Sequence, residues 1–235
     1  MNKNLPLHSN IKMSDISKTH TLRCDAKQFE ERFEPIRKLW DSGKFFYLGE
    51  LLPDSLVKGE QPPYIEGEDG VQVINTLSIQ KLSINLDDCR VISEDDFDAL
   101  PEARKLKKGD VLLTMDGGTS IGKSVVFDFD GKFTVDSHVA ILRPINISPK
   151  ALVYLLASPF GQMQFKKAES GASGQTAVTE EDLRRFIFPK SLLTNIEKLS
   201  DELDTKRKAI IAKKKILEQE ETNVWDEFVS AYLGK

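Results

Sequence analysis

Residues 191–235 carry the most regular hydrophobic pattern in the chain. Ile196, Leu203, Ile210, Leu217 and Val224 recur every seven residues. Leu199 opens a second row, which continues as Lys206, Lys213, Glu220 and Glu227. No glycine or proline falls between Asn195 and Tyr232. This predicts a single helix of roughly 35–38 residues, about 55 Å long at 1.5 Å per residue. A strict seven-residue repeat calls for a partner helix. The charged second row argues against a long parallel homodimer and fits a short antiparallel pairing, or packing against a different protein. The plainer alternative is a domain helix with a solvated outer face.

Upstream the pattern shortens. Phe29, Phe33, Ile36 and Trp40 form one helical stripe after a cap at Asp25; Pro35 should kink or divide it, and Gly43 ends it. Then VQVINTLSI (71–79), DVLLTM (110–115), SVVFDF (124–129) and HVAILRP (138–144) read as strands, with a hairpin-type turn at Asp130-Gly131. The stretch SPKALVYLLASPFGQMQFKKA reads as one helix, capped by Ser148 with Pro149 in its first turn. A Gly/Ser-rich loop covers 170–176, and Thr179 to Asp182 form a capping box that opens a short helix. Phe186 to Pro189 close the domain. Residues 1–21 are polar and unpatterned, and are expected to form a flexible tail. The fold class is therefore α+β: a mixed, β-rich domain with short helices over 22–190, followed by one long C-terminal coiled-coil helix over 191–235.

Charge modifies this picture. The chain has 33 Lys+Arg against 37 Asp+Glu, a formal charge of −4, which excludes a histone-like basic binder. Residues 1–43 are net +2, 44–190 net −5 and 191–235 net −1. Asp87, Asp88, Glu94, Asp95, Asp96, Asp98 and Glu102 crowd one stretch, and Arg104, Lys105, Lys107 and Lys108 follow at once. That reversal predicts a bipolar surface. Two cysteines, Cys24 and Cys89, cannot staple a chain of 235 residues, so a reducing cytoplasm is the expected setting. No apolar run approaches the ~18 residues that cross a bilayer, and the opening residues lack the apolar core of a signal peptide.

Gly117 to Ser124 match G-x-x-x-x-G-K-[ST] in every fixed position. A nucleotide loop needs a helix directly after its lysine, whose N-terminus faces the phosphates. Here an alternating strand follows, so a glycine-rich hairpin tip is the better reading. Asp136-Ser137-His138 are contiguous, whereas a catalytic triad is assembled in space. His8, His20 and His138 have no ligand-like spacing with either cysteine, and His138 reads as a structural residue at a strand start. No catalytic residue, metal site or cofactor is expected.

The middle of the chain resembles a known family. Leu106 to Thr114 (LKKGDVLLT), followed by Gly118 to Lys123 (GTSIGK), are similar to the "GDIL…G.(T)IGK" pattern of type I restriction–modification specificity (S) subunits. His138 to Pro144 match its His-containing stretch before "IRP", and Leu155 to Ser158 its "L.S" segment. Ser170–Thr176, Thr179–Arg185 and Phe186–Pro189 match its Gly/Ser loop, short helix and closing strand. Leu22 to Phe29 are similar to its opening. The resemblance spans roughly 22–233. The usual family chain has two target recognition domains and two conserved-region helices, which pair antiparallel as a spacer. This chain has one of each, which implies a half-length subunit or a piece of a longer chain. Pro189 of the usual junction into the helix is present, but Lys190–Asn195 lack its Glu-Gln.

The resemblance implies a non-catalytic DNA-specificity subunit that recognises half of a bipartite target in double-stranded DNA. Methyltransferase subunits, and through them the restriction subunit, would dock on the long helix, as would a second copy or a second specificity half. The candidates for DNA contact are Thr119, Ser120 and Lys123 at the hairpin tip, and Lys166, Lys167, Ser173, Gln175 and Thr176 around the Gly/Ser loop. Glutamine suits bidentate contact with adenine, and lysine suits phosphate or guanine. The candidate partner face is Ile196, Leu199, Leu203, Ile210, Leu217 and Val224. Two other readings stand beside this one: a P-loop-like nucleotide-binding protein using Lys123 and Ser124, and a coiled-coil adaptor or decoy that binds methyltransferase subunits without reading DNA.

Overall fold

The computed structural model describes residues 26–53, 55–67, 69–170 and 176–233. The expected tail over 1–21 and the cap at Asp25 lie outside the described residues. The chain divides into two compact units between Leu193 and Thr194.

In the first unit, α1 spans Glu34–Ser42 and is preceded by 3-10 turns at Ala26–Phe29 and Glu31–Phe33. The helix expected from Asp25 to Trp40 thus begins only at Glu34, with Pro35 in its first turn. Proline lacks an N–H, and its fixed φ suits that position better than a helix interior. Gly43 ends the helix in a left-handed conformation, φ 62°. The strands follow in order: β1 (Phe45–Tyr47), β2 (Val57–Lys58), β3 (Val71–Ile74), β4 (Ile79–Gln80), β5 (Ser83–Ile84) and β6 (Arg90–Ile92). The run expected to be one strand over 71–79 stops at Ile74. Asn75 Oδ1 accepts from the Leu77 and Ser78 N–H groups at 2.7 and 3.1 Å, which turns the chain.

Next come α2 (Glu94–Asp98), β7 (Val111–Thr114), β8 (Ser124–Val126), β9 (Phe133–Val135) and β10 (Val139–Leu142). The turn at Asp130-Gly131 does not join a hairpin. β8 pairs with β7, whereas β9 runs parallel to β3, so the chain passes from one sheet to another. Phe127 and Phe133, 5.1 Å apart between centroids, draw the segment into the core and away from local pairing. The expected helix over 148–168 is two helices, α3 (Pro149–Ala157) and α4 (Pro159–Ala168). Pro159 disfavours helical backbone at the residue before it. Ser158 is accordingly extended, ψ 154°, and its Oγ caps α4 by accepting from the Gly161 N–H at 3.0 Å. α5 (Glu180–Arg184) opens with the expected capping box of Thr179 and Asp182, and β11 is Ile187–Pro189.

Four strands form the main sheet in the order β2-β10-β7-β8, all antiparallel; β6-β3-β9 form a second sheet, and β1-β11 and β4-β5 form pairs. Every residue of β7 and β10 is buried. Leu112, Val125 and Ile141 join Phe127, Phe133 and Val135 in one core cluster. α3 packs against β7 and β8 and buries Ala151, Leu152, Leu155 and Leu156. Burial on both faces explains why these strands read as continuous apolar runs. The basic stretch is tied to carboxylates around it: Arg104 pairs with Glu60 at 2.5 Å, Lys105 with Glu102 at 2.7 Å and Lys108 with Asp130 at 2.9 Å. Lys132 bridges Glu94 and Asp98.

The second unit contains α6, a helix of 38 residues from Ile196 to Leu233. Leu199, Leu203, Ile210, Leu217 and Val224 are all exposed, at 45–64%. Trp225, Phe228 and Tyr232 follow near its end in a ladder of rings, with successive centroids 6.1 and 6.3 Å apart.

Candidate functional site

At one end of the main sheet, Lys58 ends β2, His138 precedes β10, Asp116 follows β7 and Lys123 precedes β8. Antiparallel order brings these four chain ends together. The β7–β8 connection is the expected glycine-rich tip. It is closed by N–H bonds from Thr114 to the Lys123 carbonyl and from Gly122 to the Thr114 carbonyl, both 3.0 Å. Ser120 and Ile121 donate back to the Gly117 carbonyl, so the tip is tightly wound.

Gly122 has φ +83°, and a Cβ there would meet the Phe165 ring at 2.8 Å. Gln162 Nε2 of α4 donates to the Gly122 carbonyl at 2.9 Å. The glycine that completes the nucleotide-loop pattern is therefore needed for positive φ and for close approach of α4. Ser124, the last residue of that pattern, is 2% exposed within β8, and its Oγ has no partner among the described residues. A strand, not a helix, follows Lys123. The nucleotide-binding reading loses its support here: the serine hydroxyl is buried, and no helix begins at the lysine to aim its N-terminus at a phosphate.

The segment after the Gly/Ser loop lies beside the tip. Gly117 donates to the Thr176 carbonyl at 3.0 Å, Val178 donates to Met115 at 2.9 Å, and Asp116 and Ser170 both form bridges with Ala177. Thr176 Oγ1 donates to Glu169 Oε1 at 2.7 Å, and Lys166 Nζ lies 3.4 Å from Glu169 Oε2. The Lys167 carbonyl accepts from Gln28 Nε2 at 2.9 Å, which fixes the end of α4. Of the sequence candidates, Thr119 and Lys166 are exposed, and Ser120, Lys123, Lys167 and Thr176 are half-buried. The structure brings these six into one region, assembled from the tip, the end of α4 and the strand-like return. Ser173 and Gln175 lie outside the described residues.

Sequence reading missed four residues here. Asp116 Oδ2 lies 3.3 Å from Lys58 Nζ and 3.8 Å from His138 Nδ1, and Glu169 ties Lys166 to Thr176. The His138 side chain is 51% exposed, so it belongs to this polar edge as well as to the start of the strand. Behind it, Asp136 is 6% exposed and accepts from the His138 N–H at 2.9 Å. Burial pushes the Asp136 carboxyl above its ordinary range; His138 opposes this, and the neighbouring Asp116 charge adds to it. Burial likewise raises the Tyr64 phenol, whose ring carries the Arg90 guanidinium 3.5 Å above its centroid. The advance signal was positional and partial: Asp116, His138 and Glu169 sit at the ends of runs recognisable as strands or a helix, whereas the two-residue strand that carries Lys58 left no pattern.

This edge presents hydroxyls, amines, the carboxylates of Asp116 and Glu169 and an imidazole. Among the described residues no cluster of three His, Cys, Asp or Glu side chains fits a metal ion, and no helix is long and apolar enough to cross a membrane.

No family profile matches the chain, and no curated protein matches its sequence. In fold it is similar to solved chains of type I restriction–modification systems. One, from a structure described for complex assembly and conformational transition of the type I system, is 17% identical over 84% of this chain and 50% of its own, with a TM-score of 0.47. The HsdS subunit from Thermoanaerobacter tengcongensis is 16% identical over 84% and 49%, TM-score 0.47. The S subunit from M. genitalium is 15% identical over 68% and 38%, TM-score 0.46. The chain spans half or less of the length of each of these solved chains.

Proposed function

We propose that this chain is a DNA-specificity module of a type I restriction–modification system. Residues 22–190 read one half of a bipartite target, and the helix over 191–235 docks methyltransferase subunits. The observation that carries the reading is the meeting of the β7–β8 tip, the end of α4 and the Thr176 segment. The tip and, much later in the chain, the end of α4 with its return at Thr176 supply one rim of hydrogen-bonding side chains held by main-chain bonds. Such a rim suits base edges and phosphates in a major groove. Thr119, Ser120, Lys123, Lys166, Lys167 and Thr176 are the proposed contacts, together with Ser173 and Gln175 of the intervening loop. The net charge of −5 over 44–190 makes binding by this module alone weak and salt-sensitive, so partner subunits supply the cationic surface.

The test is selection from random duplex DNA by the chain co-purified with its methyltransferase. Enrichment of a short defined sequence supports the reading. Co-purification without any enriched sequence retires it in favour of the adaptor or decoy.

A further inference from the structure

In the first unit Arg32, Arg37, Arg104, Arg143, Arg184 and Arg185 each hold a carboxylate or carbonyl oxygen. Arg90, the first residue of β6, is exposed, and its guanidinium makes no such bond among the described residues. It lies instead over the Tyr64 ring, 3.5 Å from the centroid. Edge-on at that distance, a nitrogen would be driven into the ring, so the group lies flat. Its N–H donors then point sideways, away from the ring.

The plate beneath it is fixed. Tyr64 packs against the core cluster of Val71, Val73, Ile92 and Phe97. The Tyr64 N–H donates to the Pro62 carbonyl and the Ile65 N–H to the Val91 carbonyl, both at 3.0 Å. The pair also stands close to the candidate site. Arg90, Val73 and Thr134 are aligned across β6, β3 and β9. Just past Thr134, the Asp136 N–H donates to the Ile74 carbonyl at 3.1 Å, and the Asp136 carboxylate accepts the His138 N–H. Arg90 is therefore two strand spacings, about 10 Å, from the segment that leads into the His138 edge.

We propose that Arg90 reads a guanine in the major groove, with Tyr64 as the plate that fixes its plane. This rests on the DNA-reading function proposed above and adds a specificity-determining residue from the second sheet. The guanine acceptors O6 and N7 lie in one plane, and a bidentate arginine is the commonest specific contact with them. Holding the fork still beforehand lowers the ordering cost of binding. A phosphate is the competing target for an unpaired guanidinium. Local charge disfavours it, because the exposed Asp87 and Asp88 shortly precede Arg90. An uncharged base edge meets no such repulsion.

The test uses the chain co-purified with its methyltransferase. Wild type and Arg90→Ala each select from random duplex DNA. Binding is then measured on the wild-type sequence and on copies with 7-deazaguanine, in which C–H replaces N7, at single guanines. The wild type is expected to lose about tenfold or more in affinity at one such guanine. Arg90→Ala is expected to be indifferent to that replacement and to accept any base there, with the rest of the selected sequence kept. Tyr64→Phe keeps the preference, and Tyr64→Leu weakens it; thermal unfolding checks that each variant folds. An Arg90→Ala variant that still selects the guanine overturns the proposal. So does one that weakens every sequence alike with a lower salt slope, which marks a phosphate contact. A wild type that selects no sequence overturns the DNA-reading function itself, and this proposal with it, so the two failures are distinct.

Discussion

The guanidinium of Arg143 grips the carboxylate of Asp110 through two bonds, Nε to Oδ1 at 2.8 Å and Nη2 to Oδ2 at 3.0 Å. Asp110 is 4% exposed and also accepts from the Lys107 N–H at 2.9 Å. The pair joins the loop before β7 to the residue after β10, at the opposite end of the main sheet from the candidate site. Both residues belong to stretches that carry the family resemblance, the GDVLLT run and the ILRP run. Their shared role is to clamp the two central strands.

Replacing Arg143 by methionine leaves the Asp110 carboxylate buried without its cation. Breaking such a pair costs about 3 kcal/mol, the low end of the usual range because Arg143 keeps an edge in water. Urea unfolding is expected to show a lower midpoint with an unchanged slope.

Gly122→Ala combines a strained positive φ with a clash against Phe165. A loss of about 2–4 kcal/mol is expected from strain and overpacking together. Thr119→Ala, on the exposed side of the same tip, is expected to change stability by less than about 0.5 kcal/mol. Thermal unfolding of the two variants side by side checks the contrast.

If Lys123 meets a phosphate, Lys123→Ala weakens binding to every sequence alike and lowers the salt-dependence slope by about one. Thr176→Val is expected instead to alter which bases are selected. Binding isotherms of the methyltransferase complex at several salt concentrations distinguish these behaviours.

Asp136 gives a pH signature. Its carboxyl is held above the ordinary value of 3.8, first by burial. The folded state therefore penalises the charged form. The penalty is present in full at neutral pH and is relieved as pH falls through the raised value toward 3.8, so this group makes the protein more stable on mild acidification. Asp136→Asn removes the penalty. The stability gap between variant and wild type should narrow as pH falls from neutral to about 4. A gap that stays constant with pH would contradict the assignment.

The elements that were legible in sequence are those fixed by local chemistry. The caps at Ser148 and Thr179 hold their N–H groups within one turn of chain, and α6 follows from an uninterrupted seven-residue repeat. What was not legible depends on partners far away in the chain. Asp130-Gly131 has the residues of a hairpin turn, but β9 finds a better neighbour in β3. Ser158 was followed by an evident helix breaker, and the apolar periodicity continuing past it hid the break. Asp116 and Glu169 gained their place in the site only from Lys58, His138, Thr176 and Lys166, which no spacing rule connects to them.

The bonds that hold the tip to the Thr176 segment run almost entirely between main-chain groups: Gly117 to Thr176, Ala177 to Ser170 and back, Val178 to Met115. Almost any residue can supply such a group. Side chains along this rim are therefore free to be exchanged while the frame beneath them keeps its shape. A scaffold built so can acquire a new preference by a few substitutions at its surface, with no refolding of the interior.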